Sequence, residues 1–118
     1  DELRSMEVVA PVAPSLIDRI PGTDDLMLIW NWRWNWKENL AGTRRPLAIA
    51  VSHDGGDTWA WSERKILEDD PDYTYAYPSA LMLDDHALIT YFVTDPENPI
   101  RTNRALAIMH IPYEWIYA

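Results

Sequence analysis

The chain has 118 residues, no cysteine, a formal charge of −9 and 47% apolar residues. That length suits one domain rather than two, the apolar share is enough for a core, and the acidic balance speaks against a nucleic-acid backbone as partner, which would need a basic patch. Disulfides and thiolate metal sites are excluded, and no run of about 18 apolar residues offers a membrane-spanning helix. In chain order, prolines and short apolar runs predict strands over 14–20, 26–33, 46–52 and 58–66, then over 78–83, 87–93, 104–110 and 113–117. The fold class is therefore all-β, with no long amphipathic helix. His53, His86 and His110 show no metal-ligand spacing, and no cofactor is expected. The opening "DELRS", with no Met, predicts a processed product or a fragment.

The second predicted strand runs into "WNWRWNW", Trp30 to Trp36. Strand alternation puts Leu26, Leu28, Trp30 and Trp32 on one face and Met27, Ile29 and Asn31 on the other. Both faces read as buried, Trp30 and Trp32 through packing. Trp34 and Trp36 fall in the loop beyond the strand. There an indole either stacks on the apolar face of a sugar ring or touches a neighbouring chain.

The two sets of four strands echo each other. "PSLI" returns as "PSAL", "DDLMLIW" as "DHALITY" and "RPLAIAVS" as "RALAIMHI". A repeat of about 40–60 residues holding four antiparallel strands is the mark of a propeller blade. On this reading 1–13 is the tail of a preceding blade, 14–67 is one blade and 68–118 is the last. Two blades cannot close a ring and would leave sheet faces bare, so the remaining blades or other copies of the chain are expected as partners. A small β-sandwich of the same eight strands is the alternative.

"SHDGGDTW", Ser52 to Trp59, fits the pattern S-x-D-x-G-x-T-W. Each residue has a mechanical task in a hairpin turn. Asp54 can accept backbone N–H groups, Gly56 permits a positive φ, Thr58 opens the outgoing strand and Trp59 packs beneath the turn. The motif is the Asp box, and the chain resembles the sialidase superfamily of six-bladed propellers, in the C-terminal blades. "SLIDRIPGTDDLMLIWN" and "YAYPSALMLDDHALITYF" extend the likeness over roughly residues 10–93.

The resemblance implies an exo-acting glycoside hydrolase, in an extracellular or periplasmic setting. Such enzymes clamp a sugar carboxylate with arginines and use a tyrosine nucleophile activated by a glutamate, with an aspartate as acid/base. By position the arginine is Arg44, with Arg45 as fallback. The tyrosine is Tyr77 of "AYPS", with Tyr75 and Tyr73 as fallbacks. Arg19 is at most an echo of another arginine motif. Neither the aspartate nor the glutamate has a match, and the family's "YE" is Tyr91–Phe92 here. The Asp-box residues Ser52, Asp54, Gly56, Thr58 and Trp59 are structural in this family.

Strand direction gives a check that does not lean on the family. In an up-and-down sheet, loop 34–45 and loop 67–77 emerge at one end and the Asp-box turn at the other. Arg44 and Tyr77 can therefore converge, while Asp54 cannot join them. A guanidinium suits a carboxylate, and a neutral phenol avoids the repulsion a carboxylate nucleophile would meet at a sugar acid. A propeller that binds carbohydrate without catalysis, and a protein-interaction fragment, are the competing readings.

Overall fold

The computed structural model describes residues 8, 10, 13–33, 44–59, 63–95 and 105–118. These form seven strands and one short helix. The strands are β1 (Leu16–Arg19), β2 (Leu26–Asn31), β3 (Leu47–Ser52), β4 (Lys65–Glu68), β5 (Thr74–Met82), β6 (His86–Thr94) and β7 (Ala105–Pro112), followed by α1 (Tyr113–Tyr117). Strands β1 to β4 make one antiparallel sheet in chain order, and β5 to β7 make a second. The two sheets are not closed into a ring.

The sheets stack face to face, and hydrophobic period explains how. From β2 and β3, Met27, Ile29, Leu47, Ile49 and Val51 turn to the same core as Tyr75, Ala87, Ile89, Tyr91 and Ile111 of the second sheet. The alternate residues Leu28, Trp30, Ala48 and Ala50 face the other way, under Trp59. Both faces of β2 and β3 are thus buried, as a continuous apolar run requires. Strand β6 buries only every second residue, and the outer face of its sheet leaves Leu81, Phe92, Leu106 and Ile108 exposed.

Three elements differ from expectation. The segment 113–117, read as an eighth strand, is α1. Pro112 has no N–H with which to continue a ladder, and the Tyr113 N–H donates instead to the Asp85 carbonyl. Tyr113 and Ile116, three apart, are then buried on one helical face, so the alternation of Tyr113, Trp115 and Tyr117 is not a strand period. The fourth strand starts at Lys65 rather than near 58, because Thr58 and Trp59 are held by the preceding turn. The fifth starts at Thr74 rather than 78. A bulge between Ala76 and Ser79 absorbs Tyr77 and Pro78 and lets the ladder begin before the proline. Among the described residues no helix is long and apolar enough to cross a membrane.

Candidate functional site

Strand β3 separates two polar ends of the molecule. Arg44 precedes its first residue and the Asp box follows its last. Six residues at about 3.3 Å each hold them roughly 20 Å apart.

At the Arg44 end, the backbone of Tyr75 joins the two sheets. Its N–H donates to the Arg44 carbonyl at 2.7 Å. Its carbonyl accepts from Asn31 Nδ2 at 2.9 Å. Asn31 is almost fully buried, so this amide is a fixed cross-link between β2 and β5. Two residues on, Tyr77 has φ 57°, a left-handed conformation rare for a bulky residue, and Pro78 narrows its options further. The bulge turns the Tyr77 side chain to solvent, 55% exposed. The Arg44 guanidinium carbon lies 5.4 Å from the centre of that ring, within cation–π range. Phe92 meets the ring edge-on at 6.3 Å between centroids.

Behind this surface a second pair of tyrosines is packed inside. Tyr91 O–H donates to Glu68 Oε2 at 2.9 Å, and its ring meets Tyr75 edge-on at 6.2 Å. Burial, reinforced by the Glu68 carboxylate, pushes the Tyr91 phenol well above the usual tyrosine range. Burial also raises Tyr75, whose hydroxyl accepts the Asp70 N–H at 3.2 Å. Both hold their protons more tightly than an ordinary tyrosine, the opposite of the activation by a base that a nucleophile needs. Exposed Asp69, Asp70 and Asp72 follow on the adjoining loop.

The opposite end is a closed hydrogen-bonded turn. Ser52 Oγ donates to Asp54 Oδ1 at 2.8 Å and accepts the Gly56 N–H at 2.9 Å. Asp54 also accepts Thr58 N–H at 2.8 Å and Thr58 O–H at 2.6 Å. The Thr58 hydroxyl and N–H, with Ser52, bring the Asp54 carboxyl down to about 2. Gly56 has φ 96° and lies against the Trp59 ring, and Trp59 is buried beneath the turn. Arg64 Nη2 caps the Trp59 carbonyl at 3.0 Å, with its guanidinium over Trp32 at 5.5 Å.

The structure therefore brings Arg44 and Tyr77 together and leaves Asp54 at the far end. Arg45 is half-buried, and its peptide bond to Pro46 is cis. Trp34 and Trp36 lie outside the described residues. Arg19 pairs with Asp24 at 3.4 Å, in the turn before β2, which is the Asp-box end. Tyr73 is exposed on the loop before β5. Sequence reasoning did not single out Asn31 as a cross-link or Tyr91 with Glu68 as a pair. An amide on the same strand face as Met27 and Ile29 was the available signal, because a buried amide must find a partner.

A separate open cavity of about 570 Å³ is lined by Asp85, His86, His110, Pro112, Tyr113 and Glu114. The two imidazoles stack at 5.6 Å and 24° between ring planes. Stacked rings direct their in-plane lone pairs side by side rather than at one point. Among the described residues no group of three or more His, Asp or Glu side chains is placed to hold a metal ion.

Comparison with known proteins adds no relative: no protein-family model, no curated protein and no solved structure matches the chain.

Proposed function

We propose that the chain is a two-blade part of a sialidase-like β-propeller and that its Arg44 end receives a terminal, acidic sugar. The observation that carries this reading is the Arg44 guanidinium 5.4 Å from the exposed, strained ring of Tyr77. Backbone strain of this kind clusters where a side chain is aimed at a ligand. Arg44 would grip the sugar carboxylate through two parallel hydrogen bonds, with Arg45 as its neighbour in the chain. Tyr77 Oη, its proton taken by a base outside this chain, would attack the anomeric carbon as the glycosidic bond breaks, and the departing oxygen would take its proton from an acid likewise outside this chain.

The hydrogen-bonded turn at 52–59 supports the resemblance on which the propeller rests. So does the apolar outer face of β5–β7, which further blades or another copy would cover. Burying each such side chain is worth about 1.5–3 kcal/mol. The isolated chain should accordingly associate, and sedimentation as a stable monomer at micromolar concentration would count against the propeller.

A second reading is binding without hydrolysis. It is favoured by Glu68, which accepts from Tyr91 and so is committed to a buried phenol. One experiment separates the two. In the complete protein, Tyr77→Phe should abolish turnover of a chromogenic sialoside while leaving binding intact, and Arg44→Ala should weaken acidic-sugar binding by about 1.5–3 kcal/mol. Turnover at the wild-type rate in Tyr77→Phe removes the nucleophile. Binding without turnover in the wild type selects the second reading, and no binding to acidic or neutral sugars removes both.

A further inference from the structure

His53 occupies a variable position of the Asp box, yet it is the most heavily engaged histidine in the structure. Nδ1 lies 2.9 Å from Asp25 Oδ1, in the turn before β2. Nε2 lies 2.6 Å from Glu63 Oε2, in the loop before β4. The imidazole also stacks on Tyr117 of α1 at 6.2 Å between centroids. Tyr117 closes the circuit by donating its hydroxyl to Asp25 Oδ2 at 2.5 Å. Four segments distant in sequence thus meet at one ring.

The protonation state follows from the acceptors. A neutral imidazole has one N–H and one lone pair. With a carboxylate on each nitrogen, the neutral ring would set its lone pair against an acceptor. Only the imidazolium donates both ways. The groups facing His53 are acidic or phenolic on every element around it. They are Asp25 from the turn before β2, Glu63 from the loop before β4 and Tyr117 from α1, while Asp54 and Asp57 follow it on its own turn. Asp54 is already taken by Ser52 and Thr58. The two cations that follow Glu63 in the chain are engaged elsewhere: Arg64 donates to the Trp59 carbonyl at 3.0 Å with its guanidinium over Trp32, and Lys65 turns to the end of α1. It donates to the Ala118 carbonyl at 2.7 Å and lies over the Trp115 ring.

We infer that protonated His53 is a pH-sensitive clasp that fastens α1, and with it the three-stranded sheet, to the Asp-box end of the four-stranded sheet. The inference is independent of the sugar-binding reading. The hydrogen bonds to Asp25 and then Glu63 raise the His53 pKa, while Tyr117 above all lowers that of Asp25 and burial lifts the Tyr117 phenol to about 12. The direction of the switch follows. The clasp is closed below the ordinary histidine value of roughly 6.5 and opens as pH rises through the higher value of the folded state. Loss of the proton leaves two carboxylates against a neutral ring and removes the charge that orients Asp25 toward Tyr117. Tyr113 and Ile116 still anchor the helix, so it loosens rather than departs.

Hydrogen exchange in the peptide spanning 113–118 tests this, comparing wild type with His53→Gln at matched pH from 5 to 9, so that intrinsic exchange rates cancel. Several-fold greater protection in the wild type at low pH, converging with the variant at high pH, is the expected result. Tyr117→Phe should lose part of the low-pH protection because it lacks the Asp25 bond. Nitrogen-15 spectra of labelled histidine, assigned by the signal lost in His53→Gln, should show both ring nitrogens of His53 protonated at pH 6.5. Equal protection at every pH, or a His53 ring carrying one proton at pH 6.5, overturns the clasp. The spectra decide the matter on wild type alone should the variant fold poorly.

Discussion

The two ends of β3 are built from similar residue types and put to opposite use. At the Asp-box end the polar groups of the turn are spent on one another. Ser52, Asp54 and Thr58 satisfy one another, Trp59 seals the turn from below, and the positive-φ positions at this end, Gly22, Gly55 and Gly56, are all glycines. At the other end an exposed phenol lies beside a half-buried arginine, and the positive φ falls on Tyr77. Glycine adopts that conformation at little steric cost and tyrosine does not. The first arrangement is what stability alone would select. The second keeps a strain of about 1–3 kcal/mol that only surrounding structure or a ligand makes tolerable.

The largest effect should come from breaking the closed end. Trp59→Ala removes an indole buried against Leu28, Trp30, Ala48 and Ala50. A loss of about 3–5 kcal/mol is expected in denaturant unfolding, enough to unfold a marginal domain. A midpoint shift worth less than about 1 kcal/mol would mean that the turn does not seal this second core.

Next comes the link that holds the open end together. Asn31→Leu leaves the Tyr75 carbonyl buried without its donor and should cost about 1–3 kcal/mol. If the proposed sugar site holds and Asn31 also positions the bulge, the variant should weaken sugar binding beyond its loss of stability, and Asn31→Gln should not rescue it, since the longer side chain misplaces the donor. Wild-type affinity in folded Asn31→Leu would reduce the residue to a structural one.

Much of this contrast was legible in the sequence, and the reasons differ between elements. β2, β3 and β6 declared themselves through apolar period, and the turn at 52–59 through side chains whose partners lie within a few residues. The placement of Arg44 and Tyr77 at one end needed only alternating strand direction. "YEWIY" misled because Tyr113, Trp115 and Tyr117 alternate like a strand, while the chain is turned by Pro112 and anchored by Ile116. The pairing of Glu68 with Tyr91, 23 residues apart, and of His53 with residues 25, 63 and 117 depends on how two sheets stack. No local pattern encodes that stacking.

A smaller effect separates the ends by pH. Asp54 is depressed to about 2 by its bonds to Thr58 and Ser52. Its contribution is therefore present above the unfolded carboxylate value of roughly 3.9 and is lost as pH falls through about 2. Because the group is exposed, water takes up part of what protonation removes. Acid unfolding of wild type should show a component between those values that Asp54→Asn lacks. The clasp at His53 moves the other way, losing its contribution as pH rises. Identical acid limbs in wild type and Asp54→Asn would show that the turn holds without the carboxylate.

The smallest change in stability should also be the most diagnostic, because its sign is reversed. Tyr77→Gly relieves a left-handed backbone strained for tyrosine. It also adds unfolded-state entropy of about 0.5–1 kcal/mol and gives up the contacts with Phe92 and Arg44. The side chain is more than half exposed, so those contacts return little. The gains and losses nearly cancel, and the variant should be as stable as wild type or more stable by up to about 1 kcal/mol. If the proposed function holds, binding of an acidic sugar should meanwhile disappear, since the ring that flanks Arg44 is gone. A residue held for function shows that combination of unchanged or improved stability and lost binding. A loss of more than about 1 kcal/mol in Tyr77→Gly would instead make the tyrosine a structural prop of the bulge. The open end would then need no ligand to explain its geometry.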